Sequence, residues 1–325
     1  MKISTTPKLV TIFGGSGFVG RYVVRELANR GYRIRVAVRR PDLAGFLQPL
    51  GNVGQIQLVQ ANLRYPDSVK SAVRGADIVI NLVGILQETG LQKFETIQKM
   101  GARTVAKAAK EAGAQLLHMS AIGANPESAS GYGRTKATGE KDVLSVLKDA
   151  IIFRPSIIFG PEDDFFNRFA AMARLSPFLP LIGGGKTLFQ PVYVGDVAKA
   201  FARAADGKVP KGKIYELGGP ERKSFRDCMK LMLDLTGRNR MLVSLPWFVA
   251  TGIGKAIGWL PGAPITADQV EMLKTDNVVS DRAVREKRTL EHLGIQPVTM
   301  STILPEYLVQ YRPQGQFTKI SGEDA

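Results

Sequence analysis

Residues Leu9–Gly20 read LVTIFGGSGFVG: five apolar or β-branched residues run into Gly14, Gly15, Gly17 and Gly20, and a helical pattern continues to Asn29. A buried strand that breaks at glycines and resumes as a helix is what a pyrophosphate site requires. Glycine lets the chain turn sharply and approach the phosphates, and the first N–H groups of the helix face their charge. Gly15, Gly17 and Gly20 also meet the G-x-G-x-x-G spacing. That spacing occurs at many strand-to-helix turns, so its weight comes from the pattern of the next 140 or so residues. Further short apolar runs at 34–38, 56–59, 78–83, 116–119 and 151–153 alternate with helix-like stretches such as 96–112. Strict alternation predicts right-handed crossovers and a doubly wound parallel sheet, a Rossmann-type α/β fold.

The chain has 325 residues, 44% hydrophobic and 22% charged, which excludes collagen, coiled-coil and low-complexity classes. Subtracting 29 acidic from 44 basic side chains leaves +15, an attraction for phosphates, acidic proteins, nucleic acid or anionic lipid that does not choose among them. Cys228 stands alone, so no intrachain disulfide can form; with only His118 and His292 to join it, no metal site is expected. There is no apolar run of about 20 residues that would span a membrane. The opening MKISTTPKLV has no signal-peptide apolar core, so the mature chain is expected to begin near Met1 in a reducing compartment.

After Gly160 the alternation breaks. Residues 1–160 and 187–220 are expected to form the dinucleotide-binding domain, 161–186 and 221–311 a smaller, irregular carboxyl lobe, and 312–325 an extended arm. Residues 245–260, LPWFVATGIGKAIGWL, carry Trp247 and Trp259 near their ends. They suit a membrane interface or a partner's surface, or a lid packed on their own core. Gly183–Thr187 (GGGKT) imitates a P-loop but lacks its first glycine and its strand-to-helix setting, and is read as a plain loop.

An NAD site carries an acid after the second strand to bind the ribose hydroxyls; here Arg39 and Arg40 stand instead. Two guanidinium groups suit a 2′-phosphate, which favours NADPH, the alternative being a solvated basic surface. Asn62 and Leu63 after the third run, and Val83 and Gly84 after the fourth, lie where adenine and ribose would be contacted. Within the glycine loop Ser16, Phe18 and Val19 share that cofactor assignment. Tyr132 and Lys136, four residues apart, fall on one helical face, where a cation would lower a phenol's pKa and could hold the nicotinamide ribose. Ser120 ends the fifth run just before them.

With these residues and Arg154–Pro161 (RPSIIFGP), the chain resembles the extended, or atypical, short-chain dehydrogenase/reductase superfamily from about residue 8 to residue 220. RPSIIFGPEDDFFNRFA (154–170) and LFQPVYVGDVAKA (188–200) look more narrowly like the NADPH-binding accessory subunits of respiratory complex I, the alpha-subcomplex subunit 9 type of mitochondria and alphaproteobacteria. That resemblance implies Tyr132, Lys136 and Ser120 at the superfamily's catalytic positions, retained as scaffold or cofactor contacts, and Pro155 and Ile157 beside the nucleotide. It implies other complex I subunits as partners and a peripheral place on the cytoplasmic face of a bacterial inner membrane, or on the matrix side in mitochondria, where the protein is also able to touch lipid; no interleaved aromatic platform or recognised module supports binding of nucleic acid, so none is expected. Ala121 and Ile122 stand where related enzymes place a second hydroxyl. The other readings are a free NADP-dependent reductase, epimerase or dehydratase, and an NADP-sensing regulator that uses the same fold without turnover.

Overall fold

The structure is a computed structural model and describes residues 7–258 and 265–317. The amino terminus at Met1, Trp259 and the end of the expected arm, 318–325, lie outside the described residues.

The chain runs β1 (Leu9–Phe13), α1 (Phe18–Asn29), β2 (Arg33–Val38), β3 (Ile56–Gln60), α2 (Pro66–Val73), β4 (Ile78–Asn81), α3 (Ala102–Glu111), β5 (Gln115–Met119), α4 (Gly131–Val146), β6 (Ile151–Pro155) and β7 (Ile158–Phe159). Next come α5 (Phe166–Leu175), β8 (Phe178–Ile182), β9 (Leu188–Phe189), β10 (Val192–Tyr193), α6 (Val194–Ala205), β11 (Ile214–Leu217) and β12 (Lys223–Ser224). The chain closes with α7 (Phe225–Leu235), β13 (Met241–Leu245), α8 (Trp247–Ile257), α9 (Ala267–Met272), α10 (Asp281–Arg285) and α11 (Met300–Leu308).

Seven strands form one sheet in the order β11-β6-β5-β4-β1-β2-β3, every pair parallel. The doubly wound fold expected from alternation is therefore present. β1 is buried along its whole length because both sheet faces are covered: Val10 and Ile12 pack with α1 and α6, Phe13 with α2 and α3. Strand order reverses between β1 and β4, so the chain leaves in opposite directions from their adjacent carboxyl ends and opens a crevice there. β4 ends at Asn81, two residues short of the expected run, because the Asn81 side chain accepts the Val83 N–H and turns the chain out of the sheet.

A third core lies beyond the sheet, where Phe159, Phe166, Leu179, Leu181, Phe225 and Met232 meet Leu304 and Tyr307 of α11. The carboxyl lobe is more regular than its Pro and Gly content indicates: β8 pairs with β13, and α5, α7 and α11 pack around them. No described helix is long and apolar enough to cross a membrane.

Candidate functional site

The glycine loop sits at the crevice. Gly14 has φ +78 and lies against Val83, so the turn after β1 touches the turn after β4. A Cβ on Gly15 would come within 2.6 Å of Val36, and one on Gly20 within 2.3 Å of the Gly14 carbonyl. The protein's own packing demands those glycines. Gly17 differs, because it is exposed and a Cβ there would meet nothing closer than 3.4 Å. Its missing side chain keeps clear the space before α1, whose N-terminus has no side-chain cap and no acid in its first turn. An open, positive helix end fronted by bare backbone fits a pyrophosphate. Val19 is buried beneath the loop and Phe18 stands edge-on to Tyr22 at 6.1 Å, while half-buried Ser16 completes the turn.

Arg39 and Arg40 emerge, exposed, from the end of β2. Arg40 is held by Asp42 through a bidentate contact at 2.7 and 3.0 Å, whereas Arg39 makes no hydrogen bond or ion pair among the described residues. Arg40 is therefore less available to an anion than a pair of free guanidinium groups would be. The neighbouring β3 is followed by Asn62, whose side chain accepts the Arg64 N–H, and by Leu63, which is buried against Gly101. Leu63 serves the core with its side chain. Arg64, which sequence reasoning passes over, has a buried Nε without a partner and lies over the Tyr65 ring at 5.8 Å.

Tyr132 and Lys136 share one face of α4 and are both buried. Lys136 Nζ donates to the Met119 carbonyl at 3.3 Å and stands 3.3 Å from where a Gly84 Cβ would be, which brings the lysine to the turn after β4. Burial lowers its pKa to about 8, against a smaller upward pull from Glu140. The ammonium lies over the Tyr132 ring, 5.8 Å from its centre, and donates its hydrogen bond to the Met119 carbonyl. The phenol is accordingly not acidified: burial, and then the Asp268 carboxylate, raise its pKa, the reverse of the lowering expected from a lysine four residues on. Ser120 is buried with its hydroxyl unpartnered, directly after Met119. His118 beside it is neutral, its pKa pushed down to about 3 by burial and then by Lys136, with Nδ1 at 3.2 Å from the Asn81 amide. Pro155 is buried and its carbonyl accepts the Ile122 N–H; Ile157, half-buried in the third core, donates its N–H to Asn277.

Distant residues fix this geometry. Asp268 of α9 accepts from the Ser130 hydroxyl and from the N–H groups of Gly131 and Tyr132, capping the helix that carries Tyr132. Glu140, further along α4, grips Arg154 of β6 in two charge-assisted bonds, the first at 2.7 Å, and so sets the helix against the sheet. Gln98 bridges the Ile85 carbonyl to Thr135, tying the turn after β4 to α4. It lies in a π-helical segment, Glu95–Gly101, a feature frequent at functional sites. Phe94 meets the Tyr132 ring edge-on at 5.9 Å, and beside this pair opens a cavity of about 470 Å³ lined by Glu88, Lys93, Phe94, Thr266 and Asp268. Among the described residues no group of His, Cys, Asp or Glu could hold a metal ion.

Residues 10–218 match the NAD dependent epimerase/dehydratase family. Alpha subcomplex subunit 9 of the mitochondrial NADH dehydrogenase [ubiquinone] 1 from Mus musculus is 37% identical over 314 residues, covering 95% of this chain and 82% of its own. The Arabidopsis thaliana protein of that description is 36% identical, with 94% of this chain and 79% of its own covered. The ceramide reductase of Caulobacter vibrioides is 30% identical, over 73% of this chain and 74% of its own. Among solved structures, an NADPH-dependent quinone oxidoreductase of Escherichia coli complexed with NADPH superposes with a TM-score of 0.71 at 22% identity, covering 93% of this chain and 99% of its own.

Proposed function

The chain belongs to the NAD dependent epimerase/dehydratase family, within it to the group that contains alpha subcomplex subunit 9 of NADH dehydrogenase [ubiquinone] 1, and from that premise we propose an accessory subunit of respiratory complex I that holds NADPH as part of its structure. The observation that carries the reading is identity of 36–37% sustained over 94–95% of the chain, carboxyl lobe included. The ceramide reductase is 30% identical over 73% of the chain, below the identity and the coverage of these two relatives. A shared nucleotide site accounts for similarity in the sheet; it does not account for similarity throughout the lobe.

The residues present fit the nucleotide. Backbone at Gly14–Gly20 and the open end of α1 would take the pyrophosphate, Arg39 the 2′-phosphate with Arg64 on the adjoining strand end, and Lys136 with the orphaned Ser120 hydroxyl the nicotinamide ribose. A bound nicotinamide nucleotide supplies a hydride donor or acceptor. The chain's own part is different: Tyr132 keeps its proton, Lys136 stays ready to donate, and Asp268 and Glu140 hold their helix still. Residues 1–160 and 187–220 carry the nucleotide in this proposal, while 161–186, 221–311 and the arm make the contacts to other subunits on the cytoplasmic, or matrix, side of the membrane.

The test is extraction of the native protein in mild detergent, then size separation and mass analysis of what co-migrates. Co-migration with the subunits of a large NADH-oxidising complex, with NADPH in the same fraction, is the expected result. Migration as a free protein overturns the reading. A second reading, a free reductase, draws on the cavity beside Phe94 and Tyr132, and would appear as substrate-dependent oxidation of NADPH by the isolated protein.

A further inference from the structure

The two-stranded sheet of the carboxyl lobe turns an apolar face to water. β8 and β13 run parallel with Phe178 opposite Met241 and Pro180 opposite Val243, so these four side chains share one face, while Leu179, Leu181 and Leu242 pack into the third core from the other. A strand half in water ordinarily places polar residues outward. Here Phe178 is 55%, Met241 70% and Val243 43% exposed, and Leu175, three residues before Phe178, is 91% exposed. Past the end of β13, Phe248 in the first turn of α8 is 78% exposed, and Gly252 and Lys255 come after it on the same face at helical spacing.

Cations without counter-ions rim this face. Arg240 directly precedes Met241 and donates Nε to the Ala173 carbonyl at the end of α5, which brings it to Arg174 and Leu175. Arg238 donates to the Tyr311 carbonyl and Arg312 to the Leu235 carbonyl, so both gather at the adjoining end of α7. None of Arg174, Arg238, Arg240 and Arg312 is paired with a carboxylate among the described residues, although fifteen other ion pairs form. Burial lowers the Arg238 pKa, and the charges of Arg240 and Arg174 lower it further, so the cluster is close enough to repel itself. An isolated protein gains nothing from crowding unneutralised guanidinium groups beside bare hydrocarbon.

We propose that the outer face of β8 and β13, with Phe178, Met241 and Val243 at its centre and Arg174, Arg238, Arg240 and Arg312 at its rim, docks on an anionic lipid surface. Apolar side chains enter the boundary between headgroups and acyl chains, and the arginines meet lipid phosphates, the two-part recognition by which peripheral proteins bind reversibly. Of residues 245–260 the structure describes 245–258, and there Trp247 takes the place that a lid packed on its own core would give it. Trp247 is not displayed: its ring packs over Gly183 of the GGGKT loop, where a Cβ would fall 2.0 Å from it, and Phe248 takes the outward position.

The folded lobe alone supplies this surface, so its test needs no complex. The purified full-length protein is sedimented with phosphatidylcholine vesicles and with the same vesicles containing phosphatidylglycerol. Binding to the anionic vesicles only, weakened by added salt, is expected. F178S/M241S should abolish it, and R174Q, at an exposed side chain with no partner among the described residues, should weaken it about fivefold. Melting curves that match the wild type certify the variants as folded. If the wild type ignores anionic vesicles, or F178S/M241S binds like the wild type, the proposal is overturned. If the wild type ignores vesicles while F178S/M241S loses a protein complex that the wild type keeps, the face is a protein interface and the lipid proposal is equally overturned. Failure of co-migration with complex I, with vesicle binding intact, leaves this surface standing and removes only the proposed function.

Discussion

The carboxylate of Asp268 accepts a 2.6 Å hydrogen bond from the backbone N–H of Gly131, across 137 residues of sequence. α4 therefore does not begin with a cap of its own making alone; Ser130 caps it locally and the carboxyl lobe supplies an anion at its positive end. Asp268→Ala should lower stability by about 1–2 kcal/mol, since it removes charge-assisted bonds to backbone donors at a helix end. Urea unfolding measures this directly. An unchanged midpoint would show that Ser130 suffices and that the lobe does not brace the Tyr132 helix.

Gly17 and Gly20 separate binding from folding. Gly20→Ala drives a Cβ to within 2.3 Å of backbone and should yield little folded protein. Gly17→Ala leaves stability nearly unchanged, because nothing of the protein lies in its way, yet it fills the space before α1 and should reduce NADPH binding at least tenfold. Equal nucleotide affinity for Gly17→Ala and wild type would move the pyrophosphate away from this turn.

Arg39 carries the choice between nucleotides. It is the exposed, unpaired guanidinium at the end of β2, while Arg40 is engaged by Asp42. Arg39→Asp should weaken NADPH by about tenfold or more and leave NADH almost untouched, as expected for loss of a hydrogen bond to a charged group. Titration calorimetry with both nucleotides decides it, and equal affinity of the wild type for the two would refute NADPH selectivity.

Lys136 makes stability depend on pH. Its folded pKa of about 8 lies below the unfolded value of 10.5, so the native state gives up its proton first. Below about pH 8 the fold bears the cost of a buried ammonium; between 8 and 10.5 the unfolded chain holds more protons and stability rises with pH. Lys136→Met should therefore stabilise the nucleotide-free protein at pH 7, by up to about 3 kcal/mol, and the gain should fade toward pH 10. A constant difference across that range would mean the ammonium is not desolvated in the fold.

How much each residue discloses depends on the span of chain over which its interaction closes. The turn at Gly14–Gly20 is a local pattern, and β1, β4 and α1 assemble around it as the alternation of apolar runs requires. Arg40 is legible within that reach too, since its partner Asp42 is two residues away and the pair is visible as RRPD, yet reading the two arginines as equals misses it. Asp268 and Asn277 are out of reach. Asn277 donates to the Ile122 carbonyl and accepts from Ser156 and Ile157, joining segments more than 100 residues apart, and an isolated Asp or Asn in a loop-rich third of the sequence carries no mark of such a task. The phenol of Tyr132 escapes for another reason: four residues on a helix fix which face two side chains share, and the distance from ammonium to oxygen depends on where the ammonium finds a carbonyl, here that of Met119.

Tyr132 is where scaffold and enzyme part company. Its ring is buried against Phe94 and its helix is fixed by Asp268, Gln98 and Glu140, so the packing belongs to the ring and the proton belongs to the oxygen. Burial raises the phenol's pKa, and the protonated form that results is a poor base at neutral pH. Tyr132→Phe removes one atom without opening a cavity and should leave melting temperature, NADPH retention and association with the complex as they are. The control is a nucleotide-loaded sample, because a bound ribose changes what Lys136 faces and could bring the ammonium to bear on the phenol. If the loaded wild type oxidises NADPH against a carbonyl substrate and Tyr132→Phe does not, the phenol is an acid in turnover and the protein is an enzyme. If both are silent while both co-migrate with the complex, the residue survives for its ring.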